Sequence, residues 1–193
     1  FSCNIAEVFA VLFFSAFSPY LFFLPIHLLW INLVTDGFPA ISLANDPARK
    51  DIMNGKARIK IFDRKDVVFI VLLGGLLTLL IILEHFLFGF QSEEEVRSII
   101  FTSFIVFEIF KIFVVQNFEG SLSFWNLKNN RTLLISIVFV ILSQLIVIYL
   151  LPDYFGIVPL GLKDWLIIVG FGAIFLGFGL TISSLLKRVF KDY

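Results

Sequence analysis

The sequence contains one cysteine, few charged residues and no net charge, and each scarcity excludes a class of protein. Cys3 alone cannot form an internal disulfide framework, nor can it supply the thiolates of a cysteine-based zinc site. The 15 basic and 15 acidic residues cancel, so no overall field attracts nucleic acid and we expect no nucleic-acid partner. The stretch from Phe1 to Asn4 has neither a Met nor a basic region, so it is not typical of a signal peptide. Because the chain opens inside an apolar run, we expect a fragment of something longer.

Apolar residues are abundant instead. Hydrophobic residues make up 59% of the 193 positions, Phe occurs 26 times, charged residues account for 16%, and the mean hydropathy is +0.98. Soluble domains have about 45–50% apolar and about 25% charged residues. A compact soluble chain of this size has too little interior to bury so much apolar surface. The composition therefore predicts an integral membrane protein.

Six segments are candidates for membrane-spanning helices, which need about 20 mostly apolar residues each. Proline- and glycine-containing stretches separate several of them, as expected for breaks between helices. We predict an all-α membrane protein, a polytopic bundle of six transmembrane helices that forms one domain over 1–193. The predicted spans are 1–18, 26–45, 67–88, 96–117, 132–151 and 165–186.

The distribution of basic residues predicts the orientation. Most of them lie in the loop 46–65, the loop 118–131 and the tail after 186, which share one side if six spans alternate. Lys and Arg favour the cytoplasmic side. We therefore expect the loop 46–65 and the C-terminus in the cytoplasm, with the first span running outward. The short loops favour a plasma membrane.

Several polar residues lie inside the predicted spans, where each ionisable group is costly and therefore a candidate for function. Those of the first span are three residues apart, and those of the second follow at i, i+3 and i+4, so each set shares one helix face. The two spans are consecutive antiparallel neighbours, so their polar faces can meet. The alternative is that these side chains only hold helices together through hydrogen bonds. Carboxylate, amide and hydroxyl oxygens are the ligands that calcium prefers, and a carboxylate of the fourth span can complete the set. The predicted metal ligands are Asn4, Glu7, Asn32, Thr35, Asp36 and Glu108.

Two of these segments resemble a known family. Segments 4–8 (Asn-Ile-Ala-Glu-Val) and 29–40 (Leu-Trp-Ile-Asn-Leu-Val-Thr-Asp-Gly-Phe-Pro-Ala) are similar to the fifth and sixth transmembrane helices of P-type cation-transporting ATPases, most closely the calcium pumps. The stretch 47–53 resembles the start of the cytoplasmic loop that follows. The resemblance implies that the other four spans are the seventh to tenth helices, so it covers the whole chain.

The resemblance also implies roles for single residues. Asn4 and Glu7 would be ligands from the family's fifth helix, and Asp36 on the sixth would bridge two ion positions. Glu108 looks like the eighth-helix carboxylate of the calcium pumps. Asn32 stands where sodium pumps carry Asp, which favours calcium as the transported cation.

The family's catalytic parts are missing from this sequence. A P-type pump is phosphorylated on an aspartate, usually in an Asp-Lys-Thr-Gly-Thr motif, and this chain has neither that motif nor a phosphate-binding glycine loop. The expected partners are therefore the lipid bilayer and the N-terminal helices and cytoplasmic domains of the same pump, which would bind ATP and Mg²⁺. By itself the chain should neither hydrolyse ATP nor pump. Two alternatives stay open, namely an independent six-span cation channel or secondary transporter, and a pump-derived regulatory subunit.

A few residues invite local interpretations. Lys111 departs from the family pattern: it can pair with Glu108 at i, i+3 and leave a single-calcium pump, or it can snorkel toward the cytoplasmic face, the interpretation we prefer. His27, Glu84 and His85 are interpreted as residues of the membrane interface. We take Cys3 as a small packing residue.

Overall fold

The computed structural model describes residues 2–17, 23–37, 63–88, 92–119 and 131–190, and these ranges form helices joined by short connections without any strand. Positions 38–62 lie outside them, so most of the predicted basic loop and the end of the second span are not described. The elements are α1 (Ser2–Phe17), α2 (Pro25–Trp30), a π-helical segment (Ile31–Asp36), α3 (Arg64–Phe88), α4 (Glu93–Glu119), α5 (Arg131–Leu150), α6 (Pro152–Phe155) and α7 (Leu162–Val189).

Four of the helices are long and apolar enough to cross a membrane. They cover Arg64–Leu87, Glu93–Phe118, Arg131–Leu150 and Leu162–Val189, each at the position of a predicted span. The all-helical class and these four elements are thus confirmed. The helix Ser2–Phe17 has only 16 residues, and the second span is described only as far as Gly37. The count of six spans therefore stays a prediction.

Helix α4 lies at the centre of the bundle. It packs most extensively against α7 and also contacts α3, α5 and the π-helical segment. Of its most apolar stretch, 67% is buried, against 33–39% for the other three long helices. Phe101, Phe104 and Phe107 are fully buried on it, and Phe107 stacks on Phe175 of α7 with ring centroids 5.6 Å apart. The core is therefore centred on α4 and includes several buried phenylalanines among aliphatic side chains.

Glycines allow two helix pairs to approach closely. A Cβ atom added at Gly172 of α7 would lie 2.4 Å from Cε2 of Phe110, and one at Gly74 of α3 would lie 2.9 Å from the carbonyl oxygen of Ser2. Real Cβ atoms essentially never come so near, so both contacts exist because the side chain is absent. The α4–α7 and α1–α3 interfaces, which hold the elements of the site below, depend on these glycines.

Large apolar side chains cover the outside of α5 and α7. Ile135, Leu150, Leu166 and Phe178 are each more than half exposed. Such a continuous apolar exterior is what a bilayer requires of the helices that face it.

Candidate cation site

Glu7 and Asn32 join the two segments whose polar faces were predicted to meet. The amide Nδ2 of Asn32 donates to Oε2 of Glu7 over 2.8 Å, and it also donates to the carbonyl oxygen of Leu28 over 2.9 Å. Glu7 is buried on α1, whereas Asn32 belongs to the π-helical segment. A carboxylate and a side-chain amide from different elements therefore lie side by side, joined through the amide nitrogen.

The second of these segments is not an ordinary α-helix. Residues Ile31–Asp36 form a π-helix, a rare form with i→i+5 hydrogen bonds that is frequently found at functional sites. The sequence predicts an interruption after Asp36, where Gly37 and Pro39 follow. The structure has its irregularity before Gly37, and Pro39 lies outside the described residues.

Three predicted ligands lie within this π-helical segment, at positions 32, 35 and 36. The segment contacts α4, the helix that carries Glu108. The structure describes the side chain of Asn32, while the side chains of Thr35 and Asp36 lie outside the described part. The backbone therefore places the segment against the helix that carries Glu108. The roles of Thr35 and Asp36 remain predictions.

Cys3 contributes to the environment of Glu7, which the sequence interpretation missed. Its Sγ lies 3.5 Å from Oε1 of Glu7, one turn along α1, and it is completely buried. The i, i+4 spacing was the signal that could have identified this contact. Packing alone therefore does not describe the role of Cys3.

Asn4 lies in a different environment from Glu7. Its side chain is exposed, and the structure shows no hydrogen bond between Asn4 and a described residue. The place of Asn4 beside Glu7 and Asn32 in the ligand set therefore stays a prediction.

Glu108 is buried on α4 and forms an ion pair with Lys111 one turn later. The Glu108 side chain is 2% exposed and the Lys111 side chain 13% exposed. The snorkelling interpretation of Lys111 is therefore wrong, because its side chain is largely buried and its ammonium pairs with a predicted ligand. The cost of a lone charge at this depth favours the pairing.

Within the ranges that the structure describes, no three His, Cys, Asp or Glu side chains lie close enough together to hold a metal ion. With the Asp36 side chain outside that description, the six-ligand set stays a prediction. The predicted ligands whose side chains are described, Asn4, Glu7, Asn32 and Glu108, carry oxygen atoms suited to a hard cation.

His27 is enclosed by the protein around it. It is completely buried, its Nδ1 accepts from the Leu24 amide over 3.2 Å, and its Nε2 lies 2.7 Å from the carbonyl oxygen of Phe155. Since Nδ1 accepts, Nε2 must carry the proton and donate to that carbonyl. The ring also stacks on Phe101 of α4, with centroids 4.5 Å apart. His27 thus fastens the start of α2 to α4 and α6.

Glu84 was likewise expected at the interface, and it is completely buried between α3 and α4. The hydroxyl of Ser103 donates to its Oε1 over 2.9 Å. The neighbouring His85 is half-buried and packs edge-on against Phe14 of α1, with ring centroids 5.2 Å apart.

Comparison with known proteins agrees with the resemblance. A family model described as "Cation transporting ATPase, C-terminus" matches residues 20–185. A calcium-transporting ATPase of Bacillus subtilis is 30% identical over 179 residues, covering 89% of this chain and 20% of the relative. The human calcium-transporting ATPase type 2C member 1 is 29% identical over 154 residues, covering 74% of this chain and 16% of the relative.

The chain thus spans about a fifth of the length of the curated relatives it matches. Together with the apolar helices, these matches identify an integral, multi-pass membrane protein. The family match covers well over half of the chain, and a relative at 30% identity covers most of it. The chain therefore belongs to the P-type cation-transporting ATPase family, where it corresponds to the C-terminal membrane region.

Proposed function

We propose that this chain is the membrane half of an ATP-driven calcium pump and that it supplies ligands for calcium transport out of the cytoplasm. The observation that carries the proposal is the 2.8 Å hydrogen bond from Asn32 to Glu7. It joins the two motifs that resemble the pump's ligand helices, at a π-helical segment next to α4. The choice of calcium as the transported cation rests on the relatives, which are named as calcium-transporting ATPases.

The proposed transport site contains six side chains. Asn32 donates a hydrogen bond to Glu7, and calcium would replace this bond by binding the carboxylate and the amide oxygen together. Asp36 of the second predicted span would bridge this position to a second one, which Glu108 on α4 completes when Lys111 does not neutralise it. The full set is Asn4, Glu7, Asn32, Thr35, Asp36 and Glu108.

The exposed amides support a partner on this side of the bundle. Asn4 and Asn32 are both exposed, although they belong to apolar segments in which an uncovered amide is costly. The upstream helices of the same pump would cover them and complete the coordination. The cytoplasmic domains of that pump would bind ATP and Mg²⁺, so this region alone should be inactive.

Basic residues support the proposed orientation. Lys187 Nζ donates to Asn117 Oδ1 over 3.3 Å, and Lys65 Nζ lies 4.7 Å from the centroid of the Phe118 ring. These contacts gather the start of α3 and the ends of α4 and α7 at one basic end of the bundle. We assign that end, with the loop 46–65 and the C-terminus, to the cytoplasm of a plasma-membrane protein.

Transport by the full-length protein tests the proposal. In inside-out vesicles we expect ATP-driven calcium uptake, which Glu7→Gln reduces at least tenfold because the carboxylate charge is lost. Thr181→Ala is the matched control, since Thr181 is a polar residue of α7 whose hydroxyl donates only within its helix, to Gly177.

The outcomes separate the alternatives. Calcium flux without ATP would support an independent channel or secondary transporter and contradict the pump. Uptake that is unchanged in Glu7→Gln would show that calcium binds elsewhere.

A further inference from the structure

Glu84 is a buried carboxyl group outside the proposed calcium site. It is 0% exposed, and its Oε1 accepts from the Ser103 hydroxyl over 2.9 Å. Its other oxygen, Oε2, is also buried and has no hydrogen-bond partner among the described residues. One half of this carboxyl group is thus paired and the other half is not.

No charged group among the described residues balances Glu84. Helix α3 packs against α1, α4 and α7. Their ionisable groups, together with His85 on α3 itself, include Cys3, Glu7, Glu93, Glu94, Glu95, Arg97, Glu108, Lys111, Lys163, Asp164, Lys187 and Arg188. Arg97 bonds to Glu93 and to the carbonyl oxygen of Gly156 instead, and Lys111 pairs with Glu108. An unpaired carboxylate in an apolar interior is very costly, so the neutral acid is the form that this site accommodates.

The position of Glu84 along the bundle follows from the contacts of α1 with α3. Ser2 lies against Gly74 and Phe14 lies against His85, so the two helices run in the same direction. Along the shared direction of these two helices, Glu84 therefore lies about five residues, or about 8 Å, beyond the level of Glu7. Under the proposed orientation this displacement is toward the outer face.

We propose that Glu84 is a proton-binding site that links closure of the outer end of the bundle to the pH of the outer solution. When that end opens, water reaches the carboxyl group and the O–H bond breaks, so the proton leaves to the outer solution as the carboxylate forms. When it closes, a proton from the same solution binds an oxygen of the carboxylate before burial. This inference rests on the proposed function, because it takes the outward-open state from the transport cycle.

Full-length pump in proteoliposomes provides the test, with its outer face toward the lumen and the lumenal pH varied. In the wild type, decay of the phosphorylated enzyme after calcium release should slow as lumenal pH rises, by up to tenfold per pH unit for one proton. Glu84→Gln should keep the fast rate at every lumenal pH, because the amide is neutral. Glu94→Gln, at an exposed residue of α4, should follow the wild type. A wild-type pH dependence in Glu84→Gln would overturn the proposal.

Two further measurements extend the test, and the first does not depend on whether Glu84→Gln folds. Ser103→Ala retains the acid and removes its hydrogen bond, so it should displace the midpoint of the lumenal pH profile, and an unmoved midpoint would contradict the site. Infrared spectra of the same full-length protein, without ATP or calcium, should show a protonated-acid carbonyl band that Glu84→Gln removes. A band that persists overturns the proton site, whereas a wild-type protein without calcium-dependent phosphorylation overturns only the proposed pump.

Discussion

Lys111 forms an ion pair with Glu108, the residue three positions earlier on α4. Both side chains are largely buried, so the lysine places a positive charge where the resemblance to calcium pumps implies a calcium ligand. In the proposed pump, the ammonium acts as a built-in cation that neutralises Glu108 and leaves one calcium position in place of two.

Lys111→Ala tests this directly. We expect bound calcium to rise from one to two ions per pump, because Glu108 is then free to coordinate. Equilibrium binding of radioactive calcium to purified full-length protein measures the count. Lys163→Ala, at an exposed lysine at the start of α7, should leave it at one. An unchanged count in Lys111→Ala would show that the pair does not limit stoichiometry.

The hydrogen bond between Asn32 and Glu7 should appear as energetic coupling. We expect a double-mutant cycle with Asn32→Ala and Glu7→Gln to give a coupling free energy of about 1–2 kcal/mol, within the range for hydrogen bonds in membranes and to charged groups. Reversible unfolding in mixed micelles without calcium measures it. Single effects that simply add would indicate that the two side chains do not interact in solution.

Gly172 and Gly170 form a matched pair on α7. A Cβ at Gly172 would collide with the Phe110 ring at 2.4 Å, whereas a Cβ at Gly170 would meet nothing within 4 Å. Gly172→Ala should therefore lower the free energy of unfolding by about 1–3 kcal/mol through overpacking. Gly170→Ala should leave it unchanged or raise it by up to about 1 kcal/mol through helix propensity. Thermal unfolding in detergent compares them, and equal effects would contradict the close α4–α7 contact.

His27→Phe keeps an aromatic ring against Phe101 and removes both hydrogen bonds of the imidazole. The Phe155 carbonyl and the Leu24 amide then lose their partner. We expect the free energy of unfolding to fall by about 1–3 kcal/mol, the usual cost of unsatisfied buried polar groups. The same unfolding assay measures the loss, and wild-type stability would show that water satisfies these groups equally well.

Much of the fold was predictable because its signal is local. A helix that crosses a bilayer satisfies its own backbone hydrogen bonds and must be apolar over about 20 residues, and both properties can be read from consecutive residues. The four long helices were therefore predicted at their observed places. The meeting of Glu7 with Asn32 was predictable for a related reason, since helical spacing and a short connection limit how their polar faces can be arranged.

Burial was not predictable in the same way. His27 and Glu84 lie near the ends of apolar segments, which favours an interfacial interpretation, yet both are completely buried. The partner of His27 is 128 residues away at Phe155, and Ser103 lies on a different helix from Glu84. Contacts between helices depend on which faces pack together, and sequence spacing within one helix carries no information about that.

By itself the sequence determined the membrane class, the four long helices, the candidate ligands and the family, because each depends on composition or on residues close together in the chain. Only the tertiary structure decided that Lys111 pairs with Glu108, that the second ligand segment is π-helical and that Glu84 is enclosed between α3 and α4. In each case several local conformations have similar energies. The packing of neighbouring helices around α4 selects the one that is observed.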